Sequence, residues 1–179
     1  MVRKMVHLEK ISWENYVDVL KLHVSKEQED FVANNDVSLI HAFLAVSEEN
    51  PVFAFAINDD ETVVGFILLG YDDDWTGYDH EEWLKSDVYK AWEGKKYYFV
   101  WRFMIDEKYQ KKGYGRKALE LALDFIKTDP CGKAEYVTLS YERTNTVAKK
   151  LYSSFGFYEP EEFAPYYEED EEITAILKL

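Results

Sequence analysis

The sequence has one cysteine, Cys131, so it holds no intrachain disulfide and no cysteine-based metal site. Cys131 lies between Pro130 and Gly132 in a turn-like stretch with no histidine near it, and so lacks the electropositive setting a reactive thiolate needs. The four histidines, His7, His23, His41 and His80, have no ligand spacing, and no metal is expected. No apolar run approaches the ~20 residues of a membrane span. The first residues, MVRKMVHLEKI, also lack the apolar segment of a secretory signal, so a cytoplasmic protein with no membrane partner is expected. Basic residues are scarce as well: 21 Lys and Arg stand against 35 Asp and Glu, a formal net charge of -14. That balance excludes an extended nucleic-acid-binding face.

What is present is a chain of 179 residues, 47% hydrophobic and 17% aromatic, which suits one folded domain over 1–179 and excludes general disorder. The acids are unevenly placed. Eight fall between Asp72 and Gly94, against Lys85 and Lys90, and eight more between Glu159 and Glu172, with no lysine or arginine. Such clusters are solvated faces or loops, or else a field that gathers a cationic substrate.

Along the chain, Val2 to Ile11 alternates as a strand, and Ser12 opens a helix from Trp13 to about Val24 with a Ser-x-x-Asn capping pattern. A second helical stretch runs from Lys26 to Ala33, and Ser38 opens a third that stops before Pro51. Val52–Ile57 and Thr62–Gly70 read as strands joined by Asn58-Asp59-Asp60-Glu61, a hairpin signal. After Tyr71 the pattern dissolves into an acidic insertion at about 72–96, helical in its second half through Trp83, Leu84, Val88 and Trp92. Beyond the central strand and helix, Ala134–Ser140 is a strand and Glu142–Phe155 a helix capped by Gly156. Phe157 begins another strand, and Ile173–Leu179 is the last. This order predicts a mixed α+β fold, with a mostly antiparallel sheet of about seven strands and helices on both faces.

The chain is organised around Tyr97–Lys127. It is aromatic and β-branched through Ile105, then helical from Tyr114, with Leu119, Ala122, Leu123 and Ile126 on one face. Between them lies Gln110-Lys111-Lys112-Gly113-Tyr114-Gly115. Glycines at a strand-to-helix corner let the backbone turn tightly beside the positive end of a helix dipole, which makes an anion site from main-chain N–H groups. Five basic residues, Lys108, Lys111, Lys112, Arg116 and Lys117, surround that corner in an otherwise acidic chain. A compact polyanion such as a pyrophosphate fits. The loop is neither a dinucleotide fingerprint nor a Walker loop.

Strand, Gln-x-x-Gly-x-Gly and amphipathic helix together resemble the acyl-CoA-binding motif of the GCN5-related N-acetyltransferases (GNAT), and the order of elements resembles that family over nearly the whole chain outside 72–96. A second stretch, from Asn145 through Ala148, Leu151 and Tyr152 to Phe155-Gly156-Phe157, is similar to a later motif of the family. The resemblance implies an acetyl-CoA-dependent N-acetyltransferase with acetyl-CoA as cosubstrate. The backbone of Phe103, Met104 and Ile105 would pair with the pantetheine arm, and an N–H near Met104 would face the thioester oxygen. The amides of Lys111, Lys112, Gly113, Tyr114, Gly115 and Arg116, preceded by Gln110, would hold the pyrophosphate. Asn145 would touch the pantetheine arm, and Tyr152 would protonate the departing sulfur. A thiol near a pKa of ~8.5–9 and a Tyr near ~10 are well matched for that step.

For the acceptor, Glu27-Gln28-x-x-Phe31 through Ser38, with Trp101-Arg102-Phe103-Met104-Ile105-Asp106, looks like the bacterial diamine (spermine/spermidine) acetyltransferase branch. The long insertion and acidic tail depart from that branch. A polyamine is the leading acceptor, a small cation suited to an acidic chain, with Glu27, Asp72 and Trp101 as candidate contacts. Another amine (aminoglycoside, amino acid or protein amine) is the alternative within enzymes, and a non-catalytic CoA-binding sensor the alternative outside them. The C-terminal strand and the helical insertion are two candidate homodimer faces.

Overall fold

A computed structural model describes residues 5–72, 90, 92, 94–166 and 172–179. Most of the insertion assigned to about 72–96, the side chain of Asp72 and the acidic stretch 167–171 lie outside the described residues. The fold is mixed α+β, with two compact units: Met1–Gly70 with Val100–Pro130, and Tyr71–Phe99 with Cys131–Leu179.

The first unit begins with β1 Val6–Lys10, then α1 Tyr16–Leu20, a 3-10 turn Lys26–Phe31 and α2 Asn35–Ser47. β2 Val52–Asp59 and β3 Thr62–Asp72 follow. β4 Tyr97–Ile105 leads through the turn Glu107–Tyr109 to α3 Tyr114–Ile126. The strands are hydrogen-bonded in the order β1-β2-β3-β4. β1 lies antiparallel to β2 with Leu8 opposite Ile57, and β2 antiparallel to β3 with Ala56 opposite Phe66. The hairpin connection is two residues, Asp60 and Glu61, not four, and Asp60 takes a left-handed φ of 53°. Val19, Ala42, Ala56, Phe66, Leu68 and Met104 form a buried cluster joining α1, α2 and the sheet. On α3, Ala118, Leu119, Ala122, Leu123 and Ile126 are buried, the face expected from their spacing.

The first helix is shorter than expected, because Asn15 and not Ser12 is its N-cap. Ser12 N–H donates to Asn15 Oδ1 (2.9 Å), so Asn15 fills the role a Glu or Gln has in a capping box. Its Nδ2 donates to the Lys10 carbonyl (3.0 Å), tying the helix start to β1. The second helical stretch is a single 3-10 turn with Ser25 and Gln28 forming a capping box. α2 starts at Asn35, three residues before Ser38, whose Oγ donates back to the Asn34 carbonyl (2.9 Å).

In the second unit, β5 Tyr136–Glu142, α4 Thr146–Ser153, a 3-10 turn Glu161–Tyr166 and β6 Glu172–Lys178 follow one another. β5 and β6 are antiparallel with Thr138 opposite Ile176. The helix expected over 142–155 is limited to α4, since Glu142 still belongs to β5. Six strands are present among the described residues; the stretch after Phe157 makes one bridge, between Tyr158 and Ile176. Trp92, from the end of the insertion, packs against Tyr136 and Phe163 at ring separations of 4.8 and 5.7 Å.

Candidate active site

In the first unit the site residues gather at the corner between β4 and α3. Asp106, at the strand end, is only 2% exposed. Its N–H donates to the Val64 carbonyl (3.0 Å), and its carboxylate accepts from the N–H groups of Lys108 (3.0 Å) and His23 (3.2 Å). One buried carboxylate thus fixes the angle at which the loop leaves the sheet. Sequence reasoning missed it, although an Asp just after a strand and before a turn is a recognisable capping signal.

The loop is held on its other side by Gln110. Its Nε2 donates to the Ile105 carbonyl (3.0 Å) and to Gln28 Oε1 (2.8 Å). The side chain therefore braces the loop against the strand end and against the turn that carries Glu27. Lys111 and Gly113 take left-handed φ values of 61° and 88°. Nothing lies within 4 Å of where a Gly113 Cβ would be, so the glycine is needed for its backbone conformation and the corner is open. Gly113 is the N-cap of α3, and Lys117 N–H returns to its carbonyl (3.1 Å). Tyr114 Oη donates to Asp59 Oδ2 beneath the corner.

The basic residues are not equivalent. Lys112 Nζ donates to the Lys108 carbonyl (2.7 Å) and lies over the Tyr109 ring at 5.2 Å, which stiffens the loop. Lys117 pairs with Glu120 at 2.8 Å. All five, Lys108, Lys111 and Arg116 among them, are exposed.

Met104 is buried in the core cluster, with Phe103 and Ile105 half-buried beside it on β4. Trp101 stacks on His41 (centroids 5.9 Å, interplanar angle 20°) and carries the Arg102 guanidinium 5.6 Å from its ring centre. Its ring is therefore a packing element first. Glu27 is exposed, and its carboxyl is held below the usual range by its own backbone N–H and then by Ser25. His23, with Nε2 3.2 Å from Glu107 Oε1, is raised above its ordinary pKa by the Lys21 carbonyl and then by Glu107.

In the second unit, Tyr152 is buried on α4, its ring 5.7 Å from Tyr141 and 5.9 Å from Phe157. Burial pushes its hydroxyl far above the ordinary phenol value, so it stays protonated. It can donate a hydrogen bond and cannot act as a base. The close pKa match expected from the sequence is lost, because that expectation assumed a solvated phenol. Asn145 is not on the helix with Tyr152: it is the N-cap, and its Oδ1 accepts from Ala148 N–H (3.1 Å). Gly156, at φ 92°, closes the other end, where Phe157 N–H returns to the Tyr152 carbonyl (3.2 Å). Glu159, one of the acids of the second cluster, is bound to Lys149 at 2.8 Å and accepts from Tyr141 Oη. Lys149 and then Tyr141 lower its pKa, and it becomes a fixed anion behind the Tyr141 ring. Partial burial raises the Cys131 thiol above its ordinary value, which disfavours the thiolate.

The model of the acetyltransferase (GNAT) family matches residues 7–157 of the chain. The chain belongs to that family. Among curated proteins, this acetyltransferase is 28% identical to the spermine/spermidine N(1)-acetyltransferase of Bacillus subtilis over 156 residues, covering 85% of this chain and 87% of the relative. Its fold is similar to that of Arabidopsis thaliana Naa50 in complex with the bisubstrate analogue CoA-Ac-MVNAL, with a TM-score of 0.61 at 16% identity over 97% of this chain and 99% of the other. PaiA N-acetyltransferase from Thermoplasma acidophilum, in complex with coenzyme A, gives a TM-score of 0.60 at 15% identity, covering 98% and 99% of the two chains. No helix among the described residues of the acetyltransferase is long and apolar enough to cross a membrane. None of them form a cluster that could hold a metal ion.

Proposed function

We propose that this acetyltransferase moves an acetyl group from acetyl-CoA to a primary amine, with a polyamine such as spermidine as acceptor, and that residues 1–179 act as one catalytic domain in the cytosol. The observation that carries the reading is the open corner at the start of α3, where Lys111 and Gly113 are both left-handed. Such a corner, at a helix N-terminus and beside exposed Lys108 and Arg116, suits a pyrophosphate. Acetyl-CoA supplies an activated thioester that the amine attacks directly.

In this reading the backbone of Phe103, Met104 and Ile105 aligns the donor's arm, and an N–H near Met104 stabilises the oxyanion. The amides from Lys111 to Arg116 hold the phosphates, while Gln110 keeps their loop in shape. Asn145 serves through its cap, which fixes the start of α4 and with it Tyr152. Tyr152 donates to the sulfur as it gains charge. Because its pKa lies above that of the thiol, it contributes a hydrogen bond to the thiolate more than a complete proton transfer. Glu27, Asp72 and Trp101 are the proposed acceptor contacts. The polyamine is supported by the 28% identity to the Bacillus relative and by a net charge of -14, which attracts cations.

Thiol release from acetyl-CoA, followed with spermine, spermidine, lysine, an aminoglycoside and a short peptide, tests both parts. We expect release with the polyamines, and a fall in kcat of roughly a hundredfold in Tyr152→Phe with little change in the KM for acetyl-CoA. Release with another amine alone would reject the polyamine. No release despite coenzyme A binding would favour a sensor.

A further inference from the structure

Helix α2 is built inside out. Its buried positions are Asn35, Ser38, Ala42 and Ala45, small or polar, spaced along one face. Its exposed positions include Val37, Ile40, Phe43, Leu44 and Val46, with Phe43 70% and Ile40 58% exposed. Leu39 alone among its larger apolar side chains packs against the core cluster. A helix whose outer face met only water would carry polar residues there. α1, packed against α2, adds exposed Val17 and Leu20. Large apolar side chains so numerous on two neighbouring helices mark an interaction surface more often than a solvated one.

We infer that this face docks a second copy of the chain, α2 against α2 about a two-fold axis. Two observations select that occupant. The stretch Val37–Val46 contains no Asp, Glu, Lys or Arg, in a chain of net charge -14. Two copies of so acidic a chain repel wherever their charges meet, and an isologous contact through α2 sets the uncharged stretch against itself. The exposed apolar side chains of α2 and α1 present on the order of 600 Å², against the ~800 Å² per partner of a standard interface, so a modest polar rim completes it. The C-terminal strand is a poorer face. At Ile176, β6 already has β5 on one side and Tyr158 on the other, with Tyr158 and Ile176 exchanging both main-chain hydrogen bonds.

Sedimentation velocity on the full chain between about 1 and 100 μM, a range that brackets weak to moderate dimers, measures the contact. The native chain should sediment as a dimer, and Phe43→Glu or Ile40→Glu should weaken association at least ~100-fold, with an unchanged circular dichroism spectrum. Phe43→Leu should remain dimeric. If the charged variants fold poorly, Phe43→Cys in a Cys131→Ser background gives a second readout: oxidation should produce a covalent dimer. A native chain that stays monomeric over the whole range would overturn the inference and leave the face to residues 73–89 or to another protein. A dimer indifferent to Phe43→Glu, or a Phe43→Cys protein that does not cross-link, would overturn it as well.

Discussion

Helices α2 and α3 are both 13 residues long and belong to the same unit, yet they use their surfaces in opposite ways. α3 buries Leu119, Leu123 and Ile126 and turns Arg116, Lys117, Glu120 and Asp124 outward, so its pattern alone says which side is solvent. α2 buries Asn35 and Ser38 and turns Ile40 and Phe43 outward. The difference teaches that hydrophobic periodicity reports what each face touches, and that solvent is only one of the things a face can touch. α3 is stabilised by its own core; α2 is held to the sheet by small residues and a few hydrogen bonds.

The largest effect that would break this comparison comes from truncating the apolar residues of each helix in turn. Leu119→Ala, at a fully buried site, should lower stability by about 2–5 kcal/mol, whereas Ile40→Ala in the dilute monomer should change it by no more than ~0.5 kcal/mol. Urea denaturation of both variants decides it; comparable losses would mean that α2 has a buried apolar face after all.

A smaller effect sharpens it on the polar side. Asn35 Nδ2 donates to the Val19 carbonyl at 2.8 Å and lies 3.9 Å from Met104 Sδ, joining α2, α1 and β4. Asn35→Ala removes that buried hydrogen bond, leaving the Val19 carbonyl the Leu22 N–H (3.2 Å), and should cost about 0.5–1.5 kcal/mol, while Asn34→Ala, at the exposed N-cap that makes no side-chain cap bond, should cost much less. Equal losses would remove the hydrogen bond as the cause.

The smallest effect concerns His23, which links the end of the α1 layer to the corner that starts α3. Its raised pKa means that its contribution to stability is complete below the unfolded value of ~6.5 and is lost as pH rises through the folded value. An NMR titration should place the His23 midpoint above 6.5 and show Glu107→Gln returning it part of the way, because the Lys21 carbonyl contact remains. A midpoint unmoved by that change would assign the shift to the Lys21 carbonyl and the Asp106 carboxylate.

Much of the first unit could be read from the chain. The strand-to-helix switch at Ile105–Tyr114, the buried face of α3 and the strands on either side of Asp60 follow from local patterning, which depends on residues a few positions apart. The errors lie where a distant partner decides. Asn15 displaces Ser12 as the cap because its amide reaches Lys10, and α2 begins before Ser38 because Asn35 finds the Val19 carbonyl. The bond from Gln110 to Gln28 joins residues 82 positions apart, so no local pattern carries it. Asn145 caps α4 and does not lie inside it, because β5 runs on to Glu142 before the helix begins.

By itself the sequence determined the family, the mixed α+β order of elements and the glycine corner, because each is written in residue types a turn or a strand apart. Only the tertiary structure decided that Asp106 would anchor the corner, that Tyr152 would be buried and hold its proton, and that α2 would face outward with Phe43 and Ile40. Burial, and with it the cost of charging a group or leaving an apolar surface in water, is a property of what the rest of the chain places alongside, and no local pattern carries it.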